Sequence, residues 1–361
     1  MYQYKRVAVK VGSNVLTRSD GTLNITRMSA LVDQISELNK QGVSVVLISS
    51  GAVAAGRSEI KADKKLDPVT ARQLYSAVGQ AKLINRYYEL FREHHITCGQ
   101  VLTTKEDFAT RRHYLNQKNC MEMMLKNGII PIVNENDTVS VTELMFTDND
   151  ELSGLIAAML NMDALIILTN VDGIYDGDPL LENTKVVPEI TDFKTQITSY
   201  VQTGKSQFGR GGMITKCGIA QKVADEGITV IIANGARDDI LPELLKDNSS
   251  VICTRFLPSR KPVSNVKKWI AHSEAFAKGG IFINQGAYQA LIQPKATSIL
   301  FVGVTNIEGD FEKDDIVKIL DHDGNQIGVG CVGYNSYDAR SLIGKRSDKP
   351  LIHYDYLYLE S

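Results

Sequence analysis

The chain of 361 residues is 43% apolar and 23% charged, which is typical of a globular protein in water and long enough for two domains. Its net charge of −2, from 40 lysines and arginines against 42 aspartates and glutamates, lacks a basic excess and argues against nucleic acid as a partner. The five cysteines are scattered and form no C-x-x-C pair, which argues against disulfides and a zinc site. The apolar runs are too short to span a membrane, and the start lacks a signal-peptide layout, so we expect a cytoplasmic protein.

The first two-thirds of the chain alternate short β-branched runs with amphipathic segments. The run RVAVKV at Arg6–Val11 predicts a strand, 28–40 a helix and 43–48 a second strand, which leads into a small-residue loop, SSGAVAAG, at 49–56. Further along we predict helices at 71–91, 112–126, 148–160 and 213–226, and strands at 96–102, 129–133, 164–168 and 228–233. Apolar runs separated by helices indicate a mostly parallel central sheet covered on both sides, an α/β three-layer sandwich.

The pattern changes after about residue 248. Pro258 and Pro262 punctuate a connecting stretch, and beyond it come short strand-like pieces at 298–304, 316–320 and 326–332. Asp323 and Gly324 lie between two of these pieces and predict a hairpin. We therefore predict a large α/β domain at 1–258, a linker at 259–269 and a small β-rich domain at 270–361.

Polar and glycine-rich segments follow the predicted strands, where a parallel sheet collects its ligands. Lys10 is followed by Gly12 and Ser13 at the end of the first strand, and a lysine there can reach a phosphate. The alternative is a solvated lysine before an ordinary turn. Ser49 and Ser50 begin the loop after the second strand, where hydroxyls and bare amides suit an anionic or zwitterionic ligand. Close helix–sheet packing explains the small residues equally well.

Acidic and amide side chains gather in two further runs. After the strand at 129–133 comes NEND at 134–137, in which Asp137 could receive an ammonium group and Asn134 could donate to a carboxylate. A turn rich in Asx hydrogen bonds is the alternative. The run TDNDE at 147–151 precedes an apolar helix, and capping needs only one or two of its members. The surplus suggests orientation of a lysine, a metal or an amino group.

A glycine-rich segment, GRGGMITK at 209–216, leads into a predicted helix with Lys216 one turn in. Exposed backbone amides at such a helix start attract phosphate, whereas a flexible surface loop is the alternative. The six histidines of the chain lie outside all of these polar and glycine-rich segments. The candidate site therefore contains no histidine that could act as a general base.

Seven segments together resemble the amino-acid kinase superfamily and, within it, the glutamate 5-kinase family. In chain order they are VKVGSNVL, LISSGAVAAGR, AVGQAKLI, PIVNENDTV, TDNDELS, LTNVDGIY and GGMITK. The β-rich tail, with KKWI before it and GVGCVGYNS near its end, resembles a PUA domain. The resemblance covers nearly the whole chain and implies the amino-acid kinase fold. It also implies ATP-dependent phosphorylation of the γ-carboxylate of L-glutamate, the first step of proline biosynthesis.

The resemblance also implies roles for individual residues. Lys10 and Lys216 would neutralise charge on the transferring phosphoryl group, and Asp150 would hold both lysines in place. Glutamate would be bound by Ser50, Asn134, Asp137, Asp148 and Asn149. ATP, with Mg²⁺ bridging its phosphates, would contact Lys10, Thr169, Asn170, Arg210, Gly211, Gly212, Met213, Ile214, Thr215 and Lys216. Asn170 stands where the family commonly has aspartate and Arg210 where it commonly has threonine, so both bear on nucleotide contacts.

The same resemblance implies hand-over of the product to glutamyl phosphate reductase, feedback inhibition by proline and a homo-oligomer. Because a carboxylate acceptor is already ionised at neutral pH, the reaction needs no general base. One alternative is a related kinase that acts on aspartate, acetylglutamate, carbamate or a nucleotide. Asp137 and Asp148 would repel a nucleotide monophosphate and suit a free amino group. The other alternative is an RNA-binding protein, since PUA domains recur in that setting, although the acidic tail argues against it.

Overall fold

The computed structural model describes residues 2–60, 66–109, 111–140, 149–177, 184–191, 213–247, 249–259, 267, 269–270, 276–293 and 297–359. The chain divides into two compact units. The first unit comprises Met1–Lys105 and Lys118–Pro262, and the second comprises Glu106–Gln117 and Val263–Ser361. Among the helices that lie in the described ranges, none is both long and apolar enough to span a membrane.

The first unit is built on an eight-stranded sheet. Its strands are β1 (Arg6–Val11), β2 (Ser44–Ser49), β3 (Cys98–Thr103), β4 (Ile130–Glu135), β5 (Ala164–Thr169), β6 (Glu189–Ile190), β7 (Thr229–Asn234) and β8 (Thr254–Phe256). They are ordered β3-β4-β2-β1-β5-β7-β8-β6, and neighbouring strands are parallel except β7 and β8. The predicted, mostly parallel sheet is therefore confirmed.

Helices connect these strands. They are α1 (Ser13–Leu16), α2 (Ile25–Lys40), α3 (Ala52–Glu59), α4 (Pro68–Glu93), α5 (Glu106–Ala109), α6 (Arg111–Lys126), α7 (Asn149–Met159), α8 (Met213–Asp225) and α9 (Ile240–Leu245). α4 begins three residues before its predicted start because the Asp67 side chain accepts hydrogen bonds from the backbone N–H groups of Val69 and Thr70. Pro68 fits the first helical position, where no N–H is needed.

The central strands are apolar on both faces because helices cover both. In β1, Val7 and Val9 are fully buried in the main core cluster, and Ala8 is fully buried on the opposite face of the strand. Lys10 breaks this apolar run and is nevertheless only 5% exposed. A buried lysine in a core strand needs a compensating charge nearby, and its position therefore marks a site.

Two predicted elements differ from the structure. The segment 49–56 was expected to be a loop, but α3 begins at Ala52, because alanines favour a helix and Gly51, at φ +100°, turns the chain into it. The piece at 298–304 was expected to be a strand. Instead Phe301–Gly303 forms a 3₁₀ turn, and the strand begins only at Val304.

The second unit contains a five-stranded sheet. Its strands are β9 (Gly279–Ile283), β10 (Val304–Gly309), β11 (Ile316–Leu320), β12 (Gln326–Cys331) and β13 (Leu357–Leu359), with helices α10 (Gln285–Leu291) and α11 (Ser336–Ser341). The order is β10-β9-β11-β12-β13, with β9 and β11 parallel and the other pairs antiparallel. The predicted hairpin is confirmed, since Gly324 at φ +83° turns β11 into β12.

A segment from the middle of the chain packs into this second unit. In Glu106–Gln117, the side chains of Phe108 and Tyr114 are buried at 1% and 3% exposure. The indole N–H of Trp269 donates a 2.9 Å hydrogen bond to the Phe108 carbonyl. The Arg111 guanidinium lies 5.4 Å from the Trp269 ring and 5.9 Å from the Tyr114 ring, a cation–π arrangement. Helix α6 thus begins in one unit and ends in the other.

Candidate active site

The carboxyl ends of β1, β2 and β4 meet at one edge of the sheet, because these strands are parallel neighbours. Lys10 lies near the end of β1, Ser50 follows β2, and Asn134 lies near the end of β4. The start of α7 reaches the same edge, as the contacts of Asn149 demonstrate. The side-chain nitrogen Nδ2 of Asn149 lies 3.0 Å from Ser50 Oγ, 3.0 Å from Asn134 Oδ1 and 3.3 Å from the Ser49 carbonyl oxygen.

These contacts also fix the orientation of the Asn134 amide. Its Oδ1 accepts from Asn149 and, at 2.9 Å, from the backbone N–H of Glu135. The oxygen end is therefore engaged inside the protein, and the amino end of Asn134 is the end that can donate to a ligand. Asn134 is 5% exposed and Ser50 is 7% exposed, so both are buried at the sheet edge.

One buried carboxylate joins two lysines. Asp150 Oδ1 lies 2.5 Å from Lys10 Nζ, and Asp150 Oδ2 is hydrogen-bonded to Lys216 Nζ, the lysine of α8. The Asp150 side chain is fully buried, that of Lys10 is 6% exposed and that of Lys216 is 17% exposed. Burial raises the pKa of the Asp150 carboxyl, but the charges and hydrogen bonds of the two lysines outweigh burial and hold it below its usual value. The cluster therefore carries one net positive charge.

A second charged group lies at the polar run 134–137, which begins in the last two residues of β4. Arg72, from α4, lies with its Nε 2.7 Å from Asp137 Oδ1 and a terminal nitrogen 2.9 Å from Glu135 Oε2. Burial raises the pKa of the Asp137 carboxyl, and the charge and hydrogen bonds of Arg72 oppose that rise without cancelling it. Asp137, proposed from sequence as an ammonium receptor, is thus held by an arginine.

Contact between two helices brings α4 to this position. A Cβ atom on Gly79 of α4 would lie 1.8 Å from the Ala52 carbonyl oxygen, and one on Gly56 of α3 would lie 1.8 Å from the Tyr75 carbonyl oxygen. Only glycine allows the two backbones to approach so closely. The glycines of the segments LISSGAVAAGR and AVGQAKLI therefore set the distance between α3 and α4.

The strand β5 ends at Thr169, beside the end of β7. Thr169 is 9% exposed and pairs in register with Asn234 of β7. Beyond β5, the Asp172 carboxylate accepts hydrogen bonds from Asn234 Nδ2 at 3.0 Å and Arg237 Nε at 2.9 Å. The hydrogen bond from Arg237 lowers the pKa of the Asp172 carboxyl, with smaller contributions from Asn234 and from the arginine charge. These contacts order the loop that follows the strand.

The structure brings most of the predicted site residues together. Lys10, Asp150 and Lys216 form one cluster, and Ser50, Asn134 and Asn149 form another. Thr169 and the exposed Asn170 lie at the end of β5, and Met213, Ile214 and Thr215 form the first turn of α8. Four predicted residues lie outside the described residues: Asp148, Arg210, Gly211 and Gly212.

Arg72 is the residue at this site that the sequence motifs did not identify. Its signal is a polar stripe on a helix, because Arg72, Ser76 and Gln80 recur at intervals of four and share a face of α4. Ser76 is fully buried and Gln80 is 7% exposed. A buried polar stripe indicates that the helix faces polar groups across the interface.

Comparisons with known proteins agree with this geometry. Residues 5–234 match the Amino acid kinase family, and residues 279–354 match the PUA domain. The chain is 67% identical over 358 residues to the glutamate 5-kinase of Bacteroides thetaiotaomicron, covering 99% of each chain. It is 48% identical to the glutamate 5-kinase of Chlorobaculum tepidum, covering 99% of this chain and 98% of the relative. It is 39% identical to that of Thermoanaerobacter sp., covering 94% and 90%.

The chain belongs to the glutamate 5-kinase family. The resemblance inferred from the seven sequence segments is thereby confirmed. The match to the Amino acid kinase family ends at Asn234, the last residue of β7, and so includes the lysine–aspartate cluster and the polar run after β4. The PUA match begins at the first residue of β9 and includes strands β9 to β12. The candidate site of this glutamate 5-kinase family member therefore lies within residues 5–234.

Proposed function

We propose that this chain transfers the γ-phosphoryl group of ATP to the side-chain carboxylate of L-glutamate, which yields γ-glutamyl phosphate and ADP as the first step of proline biosynthesis. The observation that supports this reaction most directly is the buried cluster of Lys10, Asp150 and Lys216 at the sheet edge. Its net positive charge suits a reaction in which one anion must approach another.

The chemistry needs charge neutralisation rather than proton transfer. A carboxylate oxygen of glutamate attacks the γ-phosphorus, the new O–P bond forms as the bond to the β,γ-bridging oxygen breaks, and ADP leaves with the electron pair. No proton moves, because glutamate is ionised at neutral pH. Lys10 and Lys216 would stabilise the charge on the equatorial oxygens of the transferring group, and Asp150 would keep both ammonium groups in place before substrate arrives.

Glutamate would be recognised by the polar groups around β2, β4 and α7. Asp137 supplies a carboxylate for the α-ammonium group, and the amino end of Asn134 can donate to a carboxylate. Ser50 and Asn149 supply further polar contacts, and Asp148, predicted from the sequence, completes the set. This arrangement favours an acceptor with a free amino group over acetylglutamate or a nucleotide monophosphate.

ATP would lie across the ends of β5 and α8. Thr169 and Asn170 would contact the nucleotide, and the segment 210–216 would hold its phosphates with backbone amides and Lys216. Mg²⁺ would enter as part of the nucleotide substrate, held by phosphate oxygens. The described carboxylates of the site are consistent with this role, because Asp150, Glu135 and Asp137 already pair with lysine or arginine side chains.

A coupled assay of ADP release with a panel of acceptors tests the proposed function. L-Glutamate should support turnover far above aspartate, acetylglutamate, carbamate and UMP, and hydroxylamine should trap the acyl phosphate as a hydroxamate. Turnover with another acceptor and none with glutamate would overturn the assignment. A gel shift with tRNA at physiological salt tests the RNA-binding alternative in parallel.

The remaining expectations rest on the family resemblance. The product is a mixed anhydride, so a glutamyl phosphate reductase would consume it directly. Proline would act as a feedback inhibitor at or near the glutamate pocket, and the protein would assemble as a homo-oligomer in the cytoplasm. We also propose that the chain consists of a kinase domain at 1–258, a linker at 259–269 and a PUA-like domain at 270–361.

A further inference from the structure

Two buried carboxylates lie next to each other where β4 ends, and one arginine contacts both. Asp137 is 6% exposed and Glu135 is 2% exposed. A terminal nitrogen of Arg72 lies 2.5 Å from Asp137 Oδ1 and 2.9 Å from Glu135 Oε2, while its Nε lies 2.7 Å from the same Asp137 oxygen. The arginine charge is therefore shared between a proposed acceptor-binding carboxylate and one to which the reaction assigns no role.

Glu135 is fixed from several sides, which makes it a rigid anchor for the arginine. Its Oε1 accepts a 2.7 Å hydrogen bond from Ser140 Oγ, and its backbone carbonyl accepts a 3.1 Å bond from Gln80 Nε2 of α4. A third contact from α4, between Gln73 Nε2 and the Thr138 carbonyl, measures 2.9 Å. Helix α4 thus holds the whole 135–140 segment against its polar face.

This group contains two carboxylates and one arginine. Glu135 and Asp137 contribute two negative charges and Arg72 one positive charge, so the group carries one net negative charge when all three are ionised. Arg72 from α4 is the charged group that acts on the Asp137 carboxyl, and the same arginine contacts Glu135 of β4. Without the arginine, two carboxylates this close and this deeply buried would not both remain ionised.

We propose that Arg72 is a positioning residue for the acceptor amino acid: it holds the Asp137 carboxylate charged and in place for the α-ammonium group, and Glu135 anchors the arginine. The inference rests on the proposed function, since the ammonium group belongs to glutamate. The expected effect is therefore limited to the binding of acceptors with an amino group. Arg72 sets the affinity for acceptors that carry an amino group, whereas phosphoryl transfer depends on the cluster of Lys10, Asp150 and Lys216.

The variant Arg72→Gln tests this role in steady-state kinetics of the full chain. Because a charge-assisted contact is lost and a buried carboxylate becomes protonated, KM for glutamate should rise about 10- to 100-fold. The kcat value and KM for ATP should stay within about threefold of wild type. Glutarate, which is glutamate without the amino group, should inhibit both proteins with the same inhibition constant. A merely structural role for Arg72 would weaken glutarate binding equally.

A second variant tests the sharing of charge. In the Arg72→Gln/Glu135→Gln protein, Asp137 no longer competes with a neighbouring carboxylate for its charge. KM for glutamate should therefore fall at least about threefold relative to Arg72→Gln alone. Arg72→Lys keeps the positive charge but loses the planar guanidinium that contacts both carboxylates. Its KM for glutamate should lie between those of wild type and Arg72→Gln.

Arg86 offers a matched control on the same helix. It is 41% exposed and pairs with Glu89 at 2.9 Å on the surface, so Arg86→Gln should leave every kinetic constant unchanged. An unchanged KM for glutamate in Arg72→Gln, or a double variant no better than the single one, would overturn the inference. If Arg72→Gln does not fold, Arg72→Lys decides: a KM for glutamate above that of wild type with an unchanged inhibition constant for glutarate supports the inference, and an unchanged KM overturns it. A wild-type protein inactive with glutamate would instead contradict the proposed function itself.

Discussion

Lys10 and Lys216 reach the same carboxylate from two different elements, a core strand and the first turn of a helix. Each lysine would supply one of the positive charges that stabilise the transferring phosphoryl group. Replacing either with alanine removes a preorganised charge but leaves the other lysine paired with Asp150. We therefore expect folded proteins whose kcat is lower by about 100- to 1000-fold, measured in the coupled assay.

Lys82 provides the control for these two variants. It pairs with Glu59 on the surface and its side chain is 37% exposed, so Lys82→Ala should retain wild-type kcat. Near-normal turnover in both Lys10→Ala and Lys216→Ala would contradict the assigned roles.

The raised pKa of the Asp137 carboxyl predicts how glutamate binding depends on pH. Burial raises the pKa of this carboxyl above its usual value, so protonation begins at a higher pH than for an exposed aspartate, whose pKa is about 3.9. Only the ionised form attracts an ammonium group. KM for glutamate should therefore rise as the pH falls through this raised pKa.

Kinetics measured from neutral pH down to about pH 4, near the pKa of an exposed aspartate, check this expectation. Asp137→Asn should have a high KM at every pH, because its side chain does not titrate. A wild-type KM that is flat over the whole range would mean that Asp137 does not receive the ammonium group. In Arg72→Gln the rise should begin at a higher pH than in wild type.

The residues of the site were predictable to different degrees from the sequence. Lys10, Ser50 and Asn134 follow or end apolar runs, and a parallel sheet collects such positions at one edge. The surplus of acidic residues at 147–151 suggested that one of them orients a lysine, and the family resemblance assigned that role to Asp150. The spacing of Asp150 from Lys10 along the chain carries no information on contact. Arg72 was not identified because α4 pairs with the segment after β4 only in the folded chain.

At the level of elements, the contact between α3 and α4 is set by glycine. A methyl group on Gly79 would meet the Ala52 carbonyl oxygen at 1.8 Å and the Gly56 nitrogen at 2.6 Å, both backbone atoms that no side-chain rotation can move. Gly79→Ala should therefore force the helices apart and lower the free energy of unfolding by about 3 kcal/mol. Because α4 carries Arg72, KM for glutamate should rise as well.

Urea denaturation and glutamate kinetics measure both effects. Gly218 is the control, since it is exposed within α8 and a methyl group there would have no described atom within 4 Å. Gly218→Ala should change stability by less than about 1 kcal/mol, in the stabilising direction. Equal stability of the two alanine variants would contradict the close-packing argument.

Strands were predicted more accurately than the short connections. β1 and β11 were predicted without error, because buried β-branched runs have few alternatives. The bounds of β2, β3, β4, β5, β7 and β12 differ by one or two residues, whereas the short strands β6, β8, β9 and β13 were not predicted. The segment after β2 was interpreted as a loop because its glycines mask the helix-forming alanines of α3. The glycines serve contact with another helix, a property that a single segment cannot reveal.

At the scale of the whole molecule, Trp269 is central to the second unit. It is 2% exposed, its indole N–H donates to the Phe108 carbonyl, and its ring lies 6.3 Å from the Tyr114 ring between centroids at a tilt of 53°. Trp269→Ala would remove the largest buried side chain of this unit and leave a cavity. We expect the unit to lose about 3 to 5 kcal/mol of stability, visible as an earlier transition in thermal unfolding.

Tyr337 is the matched aromatic control, because it is 82% exposed in the same unit. Tyr337→Ala should leave the thermal transition within about 0.5 kcal/mol of wild type. A Trp269→Ala protein that unfolds like Tyr337→Ala would show that the segment Glu106–Gln117 is not held by this contact. The composition shift near residue 248 predicted a second unit, but nothing in the sequence pattern places Glu106–Gln117 with it.

The membership of Glu106–Gln117 in the second unit also affects how the protein can be made on the ribosome. This stretch leaves the exit tunnel long before Trp269 is translated, and at ordinary bacterial elongation rates the delay is on the order of 10 s. During that interval Phe108 and Tyr114 lack their contacts with Trp269, so a nascent chain stalled before Val263 should expose more of these two aromatic side chains than the finished protein does. The second unit can therefore complete its fold only after Val263–Ser361 has been synthesised.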